Sequence, residues 1–207
     1  MNRQFFRPLG VVLLALPAAS MAQIVDFAQL DRSSSSTTLV LARELPRTGT
    51  SAPAPLLSAT ATRWSTGEAA ALGWVYRWSI ADGTHRWLAG AGAGANTFRT
   101  RAANDASNES ALSGRLQLEW SGPAPGGSYY ALAQASSFRG AWFAVLQYSP
   151  SAQPIGFEWS RYHETTYQAT SVALQMATGV PNWFVRLGAV HAEGRTRPFI
   201  GVTYNGF

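Results

Sequence analysis

Runs in which apolar and polar residues alternate recur along this chain from about residue 60 to its end. In the clearest run, Leu112, Leu116 and Trp120 share one parity, whereas Arg115 and Glu119 share the other. Successive side chains of a strand point to opposite faces of a sheet, so a period of two predicts β-strands. The runs are about ten residues long, which is the length that a tilted strand needs to cross a bilayer.

The composition is unsuited to an ordinary water-soluble surface. Only 13% of the residues are charged, against about a quarter in typical soluble domains, while 46% are hydrophobic. Aromatic residues make up 12%, which excludes intrinsic disorder because such a chain buries enough apolar area to order itself. The absence of cysteine excludes disulfides, thiolate metal sites and cysteine nucleophiles. The formal charge of +5 comes with no basic run, so we expect no nucleic-acid partner.

The N-terminal stretch has the layout of a secretory signal peptide. Two arginines precede the apolar stretch Leu9–Leu16, and the triplet Ser20–Ala22 offers small residues for cleavage. The apolar stretch is too short to span a bilayer as a helix, which takes about 20 residues. We therefore predict a signal peptide over residues 1–22, the alternative being an uncleaved anchor or a buried helix. We predict that residues 23–58 form a flexible segment, with a possible first strand near Leu39.

These patterns together predict the fold class and the place of the protein in the cell. Residues 59–207 are expected to form about nine strands joined by turns. The prediction is all-β: an antiparallel up-and-down transmembrane β-barrel of 8–10 strands in the outer membrane of a Gram-negative bacterium. The alternative is a secreted soluble β-sandwich binding protein, in which the apolar face would form the core and the charges would face water.

Charged residues on the polar faces of the predicted strands would line the interior of such a barrel. Isolated ions are costly in an apolar core, but inside a narrow barrel they can pair with one another and with water. Two interpretations are open: a salt-bridge network that fills the barrel, or a weak polar track for glycans with Tyr130 and Phe143 as aromatic partners. The predicted interior set is Arg77, Arg115, Glu119, Glu158 and Arg186.

Tryptophans near predicted strand ends are typical of the aromatic girdles at the two membrane interfaces. The chain ends in Phe207, which predicts a C-terminal signal read by the barrel-assembly machinery. The polar stretch Arg99–Glu109 is expected outside the cell, and the turns Gly122–Gly127, Pro150–Pro154 and Gly179–Asn182 in the periplasm. The expected interface set is Trp78, Trp87, Trp120, Trp142, Trp159 and Trp183.

A small set of polar residues could carry hydrolytic or acyl-transfer chemistry. Ser160, His163 and Glu164 supply a nucleophile, a base and an orienting acid, and His191 with Glu193 is a second pair. Their ordinary role would be at the polar rim of the barrel, and neither a G-x-S-x-G nor an H-E-x-x-H motif is present. We therefore expect no catalytic residues, no cofactor and no metal. A lipid-modifying outer-membrane hydrolase or acyltransferase is the alternative.

The C-terminal half carries a family resemblance. Ser137–Trp142 is similar to a hairpin entering an aromatic strand, and Tyr148 followed by Pro154–Glu158 is similar to a Tyr, turn and Ile-Gly-x-Glu pattern. Over residues 130–207 the chain resembles the BcsS family of small outer-membrane barrels associated with bacterial cellulose biosynthesis. The sequence departs from that pattern at Phe157, where Pro is expected, and the first half matches only in style.

This resemblance implies a non-enzymatic accessory protein in the biosynthesis or export of an exopolysaccharide, specifically cellulose. The partners it implies are outer-membrane lipid, components of cellulose synthesis or export, and a glycan. Eight strands form a barrel that side chains fill, and ten leave only a narrow lumen. A pore for a polymer is therefore not expected from this chain alone.

Overall fold

Twelve strands and one short 3₁₀ turn hold most of the residues that the structure, a computed structural model, describes; these are 25–47, 52–81, 83–100 and 107–206. The predicted signal peptide and Phe207 lie outside them. No helix among the described residues is both long enough and apolar enough for a transmembrane span. The strands are β1 (Phe27–Ser33), β2 (Ser36–Glu44), β3 (Ala54–Trp64), β4 (Gly67–Ala81), β5 (Arg86–Thr100), β6 (Asn108–Ala124), β7 (Gly127–Ser136), β8 (Trp142–Pro150), β9 (Ile155–Glu164), β10 (Tyr167–Ala177), β11 (Trp183–Ala192) and β12 (Arg195–Asn205).

The strands close into a barrel. Each strand pairs with its neighbours in the chain, and β1 pairs with β12, with Phe27 opposite Asn205 and Ser33 opposite Phe199. All the pairs are antiparallel, so the predicted all-β, up-and-down antiparallel barrel is confirmed. Successive connections therefore lie at alternate ends of the barrel. We call the end that holds Phe27 and Asn205 the terminal end, and the opposite end the distal end.

The predicted strand number of 8–10 is wrong, because the segment 23–58 contributes β1, β2 and the start of β3 to the barrel. The predicted barrel boundary at residue 59 is wrong for the same reason. The strand expected near Leu39 is present as β2, and nine strands follow β3 as expected. The missed strand β1 carries a weak alternation, since Phe27 shares its inner face with Gln29 and Asp31. A short strand with apolar residues on both faces does not stand out in a sequence.

The outer face of the sheet is apolar and the inner face is polar, as a barrel in a membrane requires. On the outer face, Leu112 is 86% exposed and Leu116 is 65% exposed, whereas Arg115 on the inner face is only 7% exposed. Soluble proteins rarely expose a contiguous apolar surface of this extent, so lipid must cover it. The alternative of a soluble sandwich is therefore excluded, because the charges are inside and the apolar side chains are outside.

Five of the six tryptophans expected at the membrane interfaces lie in the first or last third of their strands. The exception is Trp159, which stands in the middle of β9 and faces outward, so its assignment to the interface is corrected. The sequence places a strand end at Ser160, but pairing with β10 continues β9 to Glu164. Trp159 thus belongs to the centre of the apolar band.

Aromatic rings form a continuous belt at the terminal end of the barrel. The Trp87 and Trp120 ring centroids are 5.8 Å apart, those of Trp120 and Tyr129 are 5.9 Å apart, and those of Tyr129 and Tyr148 are 5.1 Å apart. The belt crosses β5 to β8 on the outer face. Amphipathic rings of this kind sit at the boundary between lipid tails and headgroups.

The alternation of barrel ends generates a prediction about topology. The natural chain has no cysteine, so single cysteines report without background. We expect Asn108→Cys, at the distal end, to react on intact cells with a polymer-linked maleimide too large to cross the outer membrane. Ala152→Cys, at the terminal end, should react only after the outer membrane is permeabilised. The reverse pattern would mean that the barrel is inserted the other way round.

Candidate functional site

Polar side chains fill much of the barrel interior. All five charged residues expected on the inner face lie there and are buried. They do not form one network: four of them are distributed between two ionic groups in different parts of the wall, and the fifth, Arg115, is apart from both.

The first group is centred on Arg77 of β4. Its Nη1 donates to Oε1 of Glu119 at 3.0 Å, and its Nη2 donates to the carboxylate of Glu44. Glu119 also accepts from Nε2 of Gln117 at 2.6 Å and from the Tyr130 hydroxyl at 3.3 Å. The guanidinium therefore joins β2, β4 and β6, and the other carboxylate oxygen of Glu44 lies 3.4 Å from Nη2 of Arg47.

The second group repeats this arrangement around Arg186 of β11. The guanidinium donates to the carboxylates of Asp31 on β1 and Glu158 on β9. Glu158 accepts further hydrogen bonds from Nε2 of Gln147 at 2.9 Å and of Gln175 at 2.7 Å. This group also has two carboxylates for one guanidinium; amides of neighbouring strands complete the hydrogen bonds of Glu158, whereas Oδ1 of Asp31 has no hydrogen-bond partner among the described residues. Buried ion pairs persist when such additional hydrogen bonds complete them.

Sequence reasoning missed two members of these groups, Asp31 and Glu44. Both lie in the segment predicted to be flexible, so their parity was not assessed as that of a strand. The signal that was available is the shared parity of Gln29 and Asp31, which alternate with Ala28 and Leu30. That run spans only seven residues, which is shorter than a typical membrane strand.

Arg115 differs from the other two buried arginines. Within the part of the chain that the structure describes, no carboxylate forms an ion pair with it. Its Nη1 lies 3.5 Å from the Ser58 hydroxyl, its Nη2 lies 3.4 Å from Oδ1 of Asn96, and its Nε has no hydrogen-bond partner. The guanidinium thus holds one full positive charge against weak, neutral acceptors.

Two glycines make room for the Arg115 side chain. A Cβ added at Gly73 of β4 would lie 2.1 Å from Nη1 of Arg115, and one at Gly94 of β5 would lie 2.4 Å from its Nε. No side chain at either position could coexist with the guanidinium where it lies. The absence of a Cβ on two adjacent strands therefore lets Arg115 lie flat against the inner wall.

The candidate catalytic residues do not come together. Ser160 faces inward and its hydroxyl is 2.7 Å from that of Ser171, whereas His163 faces outward and stacks on Trp142 at 5.7 Å between ring centroids. Residues three apart on a strand point to opposite faces, so Ser160 and His163 cannot exchange a proton. His191 contacts Thr196 instead, with Nδ1 2.9 Å from its hydroxyl.

Metal binding was not expected from the sequence. Across the described ranges, no three His, Asp or Glu side chains cluster closely enough to hold a metal ion.

Comparison with known proteins gives structural matches only. No family model and no curated protein matches the chain. A KdgM porin aligns over 86% of this chain and 97% of its own, with 14% identity and a TM-score of 0.52. A KdgM porin in complex with disordered oligogalacturonate gives the same coverage and identity with a TM-score of 0.51. The Acinetobacter baumannii outer membrane protein Omp33 aligns over 87% and 98% of the two chains, with 10% identity and a TM-score of 0.50.

At these identities the likeness concerns the fold. This likeness in fold, together with the apolar outer face and the polar interior, identifies the kind of protein. The chain is an outer-membrane β-barrel of porin-like fold. Its location is the outer membrane of a Gram-negative bacterium, as the sequence predicts.

The group around Arg186 generates a prediction about stability. Glu158→Gln removes one of the two carboxylates that compensate the guanidinium, so the folded barrel should lose about 1–3 kcal/mol, less than the full cost of an unpaired buried charge because Asp31 remains. The readout is the temperature at which the folded, fast-migrating band disappears on an SDS gel. Insertion into the membrane should be unchanged. A second change that also removes Arg186 should cost less than the sum of the two single changes.

The matched control is Glu68→Gln, which removes a carboxylate 3.5 Å from the half-exposed guanidinium of Arg99. Exposed pairs contribute little, so this variant should unfold near the wild-type temperature. Unchanged stability of Glu158→Gln together with a lost biological output would assign Glu158 to a functional track instead.

Proposed function

We propose that this protein is a non-enzymatic outer-membrane passage for short acidic oligosaccharides that accompany exopolysaccharide biosynthesis or export. Twelve strands enclose a wider lumen than the eight-strand barrels that side chains fill. Most of the interior charges are neutralised by neighbours from the wall. The proposal rests on Arg115, a buried arginine to which the described residues bring no carboxylate.

The observation that carries the proposal is the unpaired guanidinium of Arg115. Its partners in the wall are the neutral oxygens of Ser58 and Asn96, both at 3.4–3.5 Å, so most of its five N–H donors have no acceptor. A buried cation without a counter-charge is unfavourable, and an anion in the lumen would relieve that cost. A planar guanidinium matches a carboxylate with two parallel hydrogen bonds, which a hydroxyl cannot provide.

The rest of the lining suits a sugar. Amide side chains of Gln134, Gln147 and Gln175 and the hydroxyl of Tyr130 face the lumen and donate hydrogen bonds there. Amide and hydroxyl groups can also accept hydrogen bonds, so the lining suits both kinds of sugar hydroxyl contact. One structural neighbour is a KdgM porin in complex with disordered oligogalacturonate, a saccharide with a carboxylate on every sugar. That ligand belongs to the neighbour, and it supports the same chemical class here.

A role in cellulose biosynthesis is the more specific form of the proposal. The resemblance of residues 130–207 to the BcsS family supports it, with outer-membrane lipid and components of cellulose synthesis or export as partners. Cellulose is uncharged, however, and gains nothing from the guanidinium of Arg115. The two forms therefore differ in the ligand that they require, which makes them separable by experiment.

Arg115→Gln tests the proposal in liposomes that contain the purified barrel. We expect the influx of trigalacturonate to fall by about tenfold, because a hydrogen bond to a charged group contributes about 1.5–3 kcal/mol. Influx of cellotriose, which has no carboxylate, should not change. Arg63→Gln on the outer face removes the same charge from a position outside the lumen and serves as the control.

The outcomes separate the two forms. Equal influx of both trisaccharides, unaffected by Arg115→Gln, would overturn the acidic ligand and leave cellulose fragments as the candidate. A wild-type barrel that admits neither trisaccharide would overturn the passage itself.

A further inference from the structure

One side chain at the distal end spans an unusual number of strands. Arg139 belongs to the 3₁₀ turn Phe138–Gly140 between β7 and β8. Its Nη1 donates to Oε1 of Glu109 at 2.8 Å, its Nη2 donates to the Thr166 hydroxyl at 2.6 Å, and its Nε lies 3.5 Å from Oε2 of Glu164. Its guanidinium carbon also lies 4.1 Å from the centre of the Phe98 ring.

These contacts place the guanidinium inside the barrel mouth rather than on its outer rim. Phe98 and Glu109 pair across β5 and β6 on the same face as the buried Asn96, and Glu164 of β9 is itself buried. These residues stand on both sides of the short strands β7 and β8. The side chain therefore reaches inner-face residues from β5 to β9, which is four of the twelve steps around the barrel.

The wall is uneven at this point. β7 pairs with β6 only from Arg115 onward, so residues 108–113 of β6 extend past the end of β7. The turn meets the edge of β6 at Gly114, whose N–H donates to the Ser137 hydroxyl at 3.0 Å. The β7–β8 connection thus fills the step between the tall β5–β6 pair and β9, and Arg139 extends from it into the mouth.

The backbone of the turn is held in a conformation that a non-glycine residue rarely adopts. Arg139 has φ 55° and ψ 22°, in the left-handed region, and Gly140 follows with φ 58°. A residue other than glycine loses about 1–2 kcal/mol there. The Arg139 carbonyl accepts from the Thr165 N–H at 3.0 Å and from the Thr165 hydroxyl at 2.7 Å, so contacts with β9–β10 hold the strained residue in place.

We infer that Arg139 is a specificity-determining residue, which sets the upper size limit of solutes at the distal mouth. It ties the β7–β8 connection to the inner faces of β5, β6 and β9, so that the mouth stays narrower than the twelve-strand wall would allow. The carboxylates of Glu109 and Glu164 and the face of Phe98 hold its guanidinium from three directions. This inference rests on the passage proposed above, although its residues are separate from Arg115.

Polymer exclusion in planar bilayers tests the inference with the full barrel. Polyethylene glycols of increasing mass are added, and the mass at which they no longer reduce single-channel conductance measures the mouth. Arg139→Gly removes the side chain and relieves the backbone strain, so we expect a higher conductance and a larger exclusion mass. Arg139→Lys keeps the charge without the planar fork and should give an intermediate value. Ala141→Gly, in the same connection, is the control and should match the wild type.

The results distinguish failure of the inference from failure of the passage. A conducting wild type whose exclusion mass is unchanged in Arg139→Gly would overturn the role of Arg139 and leave the passage intact. If neither barrel conducts, the passage fails and a size limit has no meaning. In that case hydrogen exchange at the Thr165 amide tests whether Arg139 stabilises the turn. Faster exchange in Arg139→Gly would show that Arg139 has a structural role there, and equal exchange would show that it has none.

Discussion

Within a lipid bilayer, every backbone N–H and C=O must find its partner inside the protein, and here the pairing of β1 with β12 meets that requirement. Without that pairing the twelve strands would form an open sheet with two edges unsatisfied in hydrocarbon. Closure also creates the lumen, and it sets which parity faces lipid on every strand. It brings Asp31 beside Arg186, 155 residues away in the chain, so the second ionic group exists only because the barrel closes.

Among the described residues, two of the three buried arginines in the lumen are paired with carboxylates, and the third is not. Arg77 and Arg186 each stand between two carboxylates, and amides or a tyrosine hydroxyl donate further hydrogen bonds to Glu119 and Glu158. Such groups hold three strands each in register and keep their charges against the wall. Arg115 has the same burial without the carboxylates. Of the three buried arginines among the described residues, Arg115 is therefore the one whose charge the wall does not neutralise.

The two ends of the barrel are built differently. At the terminal end, stacked aromatic rings on the outer face anchor the barrel in the lipid interface. At the distal end, Arg139 turns inward and contacts Glu109 and the ring of Phe98. The first feature was foreseen in the sequence, because ring positions near strand ends can be read from the alternation. The inward position of Arg139 was not foreseen. Nothing in the stretch Ser137–Trp142 indicates an arginine whose backbone lies in the left-handed region, or which strands its side chain contacts.

The sequence by itself determined the class of fold, the orientation of its faces and the burial of Arg77, Arg115, Glu119, Glu158 and Arg186, because a period of two assigns each residue to a side of the sheet. Three things were decided only by the tertiary structure: the number of strands, the partners of each charge and the isolation of Arg115. Parity says which face a residue occupies, but not which residues meet across it. Those meetings depend on strand register and on the closure of the barrel, which bring Glu44 to Arg77 and Asp31 to Arg186 and bring no carboxylate to Arg115.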